Sequence, residues 1–164
     1  VIAKNLKKVS SWLFYESSFQ LAFMPEVESI ASLAFRLCPI TVISFLKVKN
    51  VGAGAFQSCK ELNKVFLPVC EEFGDGCLQE CNNIKILNLP LMKKISQWQF
   101  IDCSSLTDLI IPLVAEIGDD CFFNCDSLES IDSKLNANQF ICNDGCRQKK
   151  NCVICRGLLK ECLK

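Results

Sequence analysis

The apolar residues of this chain recur on a period of about 22. Cysteines stand at 38, 59, 81, 103 and 125, spaced by 21, 22, 22 and 22 residues. Three residues after the last four come Leu62, Ile84, Leu106 and Leu128, and six after come Val65, Leu87, Leu109 and Ile131. Eight after come Leu67, Leu89 and Ile111, each followed by a proline: Pro68, Pro90 and Pro112. Eight before the next cysteine stand Val51, Phe73, Ile95 and Ile117, followed by Gly52, Gly74, Ser96 and Gly118. Three before it stand Phe35, Phe56, Leu78, Phe100 and Phe122. The register also runs backwards. Pro25 precedes Cys38 by the interval that separates Pro68 from Cys81, and Val9 and Phe14 keep their columns, with Ser17 in place of the cysteine. The array therefore runs from Val9 to about Ile131.

Apolar residues alternate locally, as in Leu87-Asn88-Leu89, which predicts a short strand in each unit. Proline has no amide for a ladder and is expected to end that strand. Glycine after the second apolar column is expected to let the chain turn sharply. One unit is too small to bury its own apolar edge, whereas stacked units share a continuous core. The pattern predicts a repeat solenoid of short stacked β-strands with loops and turns, in five to six units of 21–22 residues. Its boundaries fall near 17, 38, 59, 81, 103 and 125 within a region 1–135, and no long helix is evident. A cysteine-rich basic segment, 136–164, follows it.

At this point the residues resemble a known family. The pattern Leu-Pro-x-Val-x-x-Ile-Gly-x-x-(Ala/Cys)-Phe-x-x-Cys-x-x-Leu-x-x-Ile is similar to the BspA-type leucine-rich repeat. Residues Ile111 to Leu128 follow it almost position for position, and Leu67 to Ile84 follow it with Phe73 for isoleucine and Leu78 for phenylalanine. It departs at Gln97-Trp98-Gln99, where Gln99 takes the small column, and within 38–58, where no proline follows the strand. Those units are expected to be irregular. The resemblance implies a leucine-rich-repeat fold, and an extracellular or cell-surface protein that mediates adhesion or protein binding.

Charge narrows the field further. The 18 basic and 18 acidic residues balance, which argues against a nucleic-acid binder. They are unevenly placed: +3 over residues 1–15, −8 over 16–146 and +5 over 147–164. The basic tail reads as a solvated end, or as a patch for a membrane surface or an acidic partner. With no histidine in the chain, Ser-His-Asp and Cys-His catalysis and His-ligated zinc are excluded. No phosphate-binding glycine loop or nucleophile elbow is present, and the adjacent acids Glu71-Glu72 and Asp119-Asp120 read as solvated faces. The expectation is no enzyme activity. The chain opens on Val1, without a visible signal peptide, which suggests a fragment or processed form, and no stretch is long and apolar enough for a transmembrane helix.

The 13 cysteines sort by register. Cys38, Cys59, Cys81, Cys103 and Cys125 form one column among core columns and read as a structural ladder of packed thiols. Cys70, Cys77 and Cys121 replace core residues, and pairs Cys77–Cys81 and Cys121–Cys125 leave a disulfide or metal reading open. Cys142, Cys146, Cys152 and Cys155, with Cys162, lie beyond the array. Disulfides, a structural zinc or free thiols all fit their spacing.

Binding is the better functional candidate. Outward positions on the strands are Lys64 and Phe66, Ile86 and Asn88, and Asp108 and Ile110. Phe66, Ile86 and Ile110 are apolar where a plain surface is polar, so the strand face is expected to bind a protein partner. The alternatives are a structural spacer within a larger surface protein, with these side chains covered by neighbouring chain, and a zinc-binding cysteine tail carried on a repeat scaffold.

Overall fold

The computed structural model describes residues 1–135. They form a parallel β-solenoid of about six coils with no helix. Eleven short strands lie among them: β1 (Lys8–Val9), β2 (Ser29–Ile30), β3 (Val42–Ser44), β4 (Asn50–Val51), β5 (Lys64–Phe66), β6 (Glu72–Phe73), β7 (Ile86–Asn88), β8 (Lys94–Ile95), β9 (Asp108–Ile111), β10 (Glu116–Ile117) and β11 (Ser130–Ser133). All pair in parallel, with register set by the repeat: Leu87 opposes Leu109, which opposes Ile131.

Each full coil carries two strands, where the alternation predicted one. The odd strands β3, β5, β7, β9 and β11 form one wall, and Pro90 and Pro112 follow close behind β7 and β9, as predicted. The second ladder, β1-β2-β4-β6 and β8-β10, is built from the Val51, Phe73, Ile95 and Ile117 columns. Two-residue strands are too short to show alternation, so the sequence marked their columns without marking them as strands.

The glycines after this second ladder do not turn the chain. Gly52, Gly74 and Gly118 do not have positive φ. They are required by close approach: a Cβ on Gly74 would lie 2.3 Å from the Ala53 amide nitrogen, and one on Gly52 2.4 Å from that of Ser32. Their amides donate to the carbonyls of Val51 and Ile30 at 2.7 and 2.8 Å. The turning is done elsewhere, by left-handed residues four apart in each coil: Trp12 and Glu16, Leu33 and Leu37, Gly54 and Ser58, Gly76 and Glu80, Trp98 and Asp102, Asp120 and Asn124. Only two of the twelve are glycine. A left-handed side-chain residue costs about 1–2 kcal/mol. The cost is offset because this turn wall is tied to the next coil: Leu33, Phe35 and Leu37 donate to Ala53, Ala55 and Gln57 at 2.8–3.0 Å.

The core is one continuous apolar column stack. Phe14, Phe35 and Phe56 lie parallel with centroids 5.1 and 5.2 Å apart, and Phe100 and Phe122 do the same at 5.5 Å. Outside the core, polar residues pair one coil apart. Lys47 binds Glu26 at 2.7 Å, Lys94 binds Glu116 at 3.2 Å, and Lys93 binds Glu71. Lys7, Glu28, Lys49, Glu71 and Lys93 occupy one column with alternating sign.

Candidate interaction surface

The odd-strand wall holds the predicted outward positions. Lys64, Phe66, Ile86 and Asn88 are exposed, and Asp108 and Ile110 are half-buried. Phe66 is 55% exposed and Ile86 60%, high for side chains that would each gain about 1.5–3 kcal/mol on full burial. Parallel pairing orders these residues in two outward columns. One runs Leu21, Val42, Lys64, with Ile86, Asp108 and Ser130 continuing beyond β5; the other runs Ser44 and Phe66, then Asn88, Ile110 and Asp132.

The apolar part of this wall extends beyond Phe66, Ile86 and Ile110. Ile2, Leu21 and Phe23 are each more than half exposed, and bridges Ile2–Phe23 and Leu21–Val42 join their segments to the wall. Their signal was present as Leu21-Ala22-Phe23, 21 residues before Val42-Ile43-Ser44. The signal is weaker there because Ser17 stands where the other coils have the cysteine that opens the count. Lys64 and Asp108 interrupt the apolar surface with opposite charges, the mixture found in protein contact surfaces.

The cysteine column faces the other way. Cys38, Cys59, Cys81, Cys103 and Cys125 are buried, and each thiol meets a carbonyl of the preceding coil. Cys38 donates to Phe14 at 2.7 Å, Cys59 to Phe35 at 3.1 Å, Cys81 to Phe56 and Cys103 to Leu78 at 3.2 Å, and Cys125 to Phe100 at 2.9 Å. The column is thus a set of weak donors as well as apolar filler, a role that spacing alone did not reveal. Burial pushes the Cys59, Cys70, Cys103 and Cys121 thiols up to about 12, and Cys81 and Cys77 upward too. The reactive thiolate is strongly disfavoured at every one of them. Cys70, Cys77 and Cys121 are buried core residues, and no disulfide joins any of these eight. Among the described residues no three acidic or sulfur ligands gather as a metal site, and no helix is long and apolar enough to cross a membrane. Cys142, Cys146, Cys152, Cys155 and Cys162 lie outside the described residues.

One open groove of about 640 Å³ lies beside the second ladder, lined by Lys8, Glu28, Ser29, Leu46, Lys47 and Lys49 among others. Mixed charges and a wide mouth give it no set of convergent groups for a small ligand.

A helix-free parallel solenoid, whose coil is defined by an inward thiol, an inward phenylalanine and a proline-ended strand, is a leucine-rich-repeat architecture. The BspA type leucine rich repeat region, in six copies, matches residues 1–100 and 28–146. The chain belongs to that family. Solved structures carry the same fold. A leucine-rich repeat protein from Bacteroides ovatus is 26% identical with a TM-score of 0.66, over 78% of this chain and 41% of that one. The T. pallidum leucine rich repeat protein is 24% identical with a TM-score of 0.62, over 79% and 61%. A leucine rich cell surface protein from Faecalibacterium prausnitzii is 20% identical with a TM-score of 0.59, over 80% and 44%. The chain spans less than two thirds of the length of each. A search of curated protein sequences finds no match.

Proposed function

We propose that this chain is a protein-interaction module of a cell-surface protein, contacting its partner through the odd-strand wall. The observation that supports this reading most is the apolar series Ile2, Leu21, Phe23, Phe66 and Ile86, each more than half exposed and gathered on one wall, whereas the other exposed apolar residues, such as Trp12, Leu46 and Trp98, lie off it. A solenoid whose core is already closed gains nothing from such residues unless another surface covers them. Family membership points the same way, since leucine-rich repeats commonly serve as interaction or surface modules. The cell-surface description of the Faecalibacterium protein supports the location.

The variant Phe66→Ser/Ile86→Ser tests the reading. Both side chains are exposed, so the fold is expected to keep its thermal midpoint within about 2 °C. Capture of a surface partner by the immobilised chain is expected to fall at least tenfold. A variant that loses its cooperative transition would show instead that the wall is covered by this protein's own neighbouring segments, and undiminished capture would move the contact to another wall.

A further inference from the structure

The stack is divided at one junction. Both ladders stop between the coil of β5 and β6 and the coil of β7 and β8: β5 is not a ladder partner of β7, nor β6 of β8. The turn wall thins at the same place. At the preceding junction Gly54, Phe56 and Ser58 donate to Asp75, Cys77 and Gln79 at 2.9, 3.0 and 2.8 Å. At the following one Trp98, Phe100 and Asp102 donate to Asp119, Cys121 and Phe123 at 3.0, 2.9 and 2.9 Å. At the divided junction Gly76 and Glu80 keep their bonds to Gln97 and Ile101, at 2.9 and 2.8 Å, but the Leu78 amide makes none to the Gln99 carbonyl. The phenylalanine column also lapses here, with Leu78 standing between Phe56 and Phe100.

The causes lie in one short segment. Gln99 takes a column that Ala34, Ala55, Cys77 and Cys121 fill with small side chains. It is 1% exposed, and neither its Nε2 nor its Oε1 has a partner. An amide buried that way forfeits the hydrogen bonds that water would give it. Ser96 takes the column of Gly52, Gly74 and Gly118. Its hydroxyl, at 2.5 Å from the Phe73 carbonyl, stands in for the amide bond that the glycines make.

We propose that this junction is a built-in seam. The solenoid opens there as two blocks, residues up to 80 and residues from 84 onward, before any other junction parts. Opening frees the Cys103 thiol, whose bond to Leu78 spans the seam, and wets the Gln99 amide, which relieves its unmet hydrogen bonds. Phe66 and Ile86 stand on opposite sides of the seam, so opening also alters the spacing of the odd-strand wall. The seam itself does not depend on that wall being a contact surface.

Matched pairs of groups make the test. Gly54 and Ser58 bond across an intact junction, and Gly76 and Glu80 occupy the same columns across the seam. Native-state amide hydrogen exchange of the whole chain, in reductant, is expected to show Gly76 and Glu80 exchanging at least tenfold faster than Gly54 and Ser58. Alkylation by iodoacetamide, located by mass spectrometry, is expected to label Cys103 at least tenfold faster than Cys59. Burial pushes both thiols up to about 12, so the difference reads access and not acidity. The double variant Ser96→Gly/Gln99→Ala is expected to bring both ratios below three. Equal rates in the native chain overturn the seam. Unequal rates that survive the double variant overturn its assignment to Ser96 and Gln99. Should that variant fail to fold, exchange in the native chain still decides whether the seam exists.

Discussion

Residues 51–59 and 95–103 occupy the same columns of two coils and build them differently. The first reads Val-Gly-Ala-Gly-Ala-Phe-Gln-Ser-Cys and the second Ile-Ser-Gln-Trp-Gln-Phe-Ile-Asp-Cys. The large anchors agree: valine or isoleucine, then phenylalanine, then cysteine, all buried in both. The small positions do not. Where the first has Gly52 and Ala55, β4 pairs with both β2 and β6, and three amides of the coil before, those of Leu33, Phe35 and Leu37, donate to it across the turn wall. Where the second has Ser96 and Gln99, the ladder to the preceding coil is lost and the middle amide bond with it. Apolar anchors set the path of a coil. The smallest side chains decide whether its backbone comes close enough to bond its neighbour.

The largest test of this difference is in the phenylalanine column. Phe56→Ala is expected to cost about 3–5 kcal/mol, because the ring stacks on Phe35 and also contacts Phe45. Phe100→Ala is expected to cost about 1 kcal/mol less, since Phe100 stacks on Phe122 alone and a looser junction collapses more readily around the gap. Urea unfolding of the two variants would show it. Equal losses would mean that the divided junction is packed as tightly as the intact one.

The glycine column gives a smaller effect. Gly52→Ala places a Cβ 2.4 Å from backbone and is expected to destabilise by about 1–3 kcal/mol. Ser96→Gly is expected to change stability by less than about 0.5 kcal/mol, because the amide replaces the hydroxyl as donor to Phe73. Thermal unfolding at one protein concentration measures both. A costly Ser96→Gly would show that the hydroxyl bond is itself a support of the coil.

The thiols supply the smallest test and the one in which the coils should agree. Burial pushes Cys59 and Cys103 from the ordinary thiol value up to about 12. In the unfolded chain they ionise near 9, so the folded state holds more protons above that pH. The stability they contribute is whole below about pH 9 and is lost as pH climbs from there towards 12. Each is expected to steepen the decline by about 1.4 kcal/mol per pH unit. Urea midpoints at pH 8, 9 and 10 for Cys59→Ala and Cys103→Ala should show the same flattening in both. Unequal flattening would show that the two sites are not equally dry.

Much of the fold was legible because a period of 22 repeats every core requirement several times. The columns of Cys59, Phe56 and Leu87 announced themselves by recurrence. The reason for Gly52 was not legible, since positive φ and close backbone approach select the same residue. The left-handed turns at Trp12, Leu33 and Trp98 were hidden for the opposite reason: nothing in a tryptophan or leucine signals that conformation, which the cross-coil bonds impose. The outward wall was half legible. Phe66 and Ile86 stood out against the cysteine register, whereas Leu21 and Phe23 lie in coils where that register fades.

The alternating column Lys7, Glu28, Lys49, Glu71, Lys93 gives the solenoid a parity. Within this run each coil presents a sign opposite to its neighbours, and the alternation ends at Ala115. Removing the coil that carries Glu71 would bring Lys49 against Lys93, whereas removing two adjacent coils would leave opposite signs in contact. Within this run the chain can be shortened or lengthened without electrostatic penalty only in even steps, so its natural unit of growth is 42–44 residues, two coils, and not one.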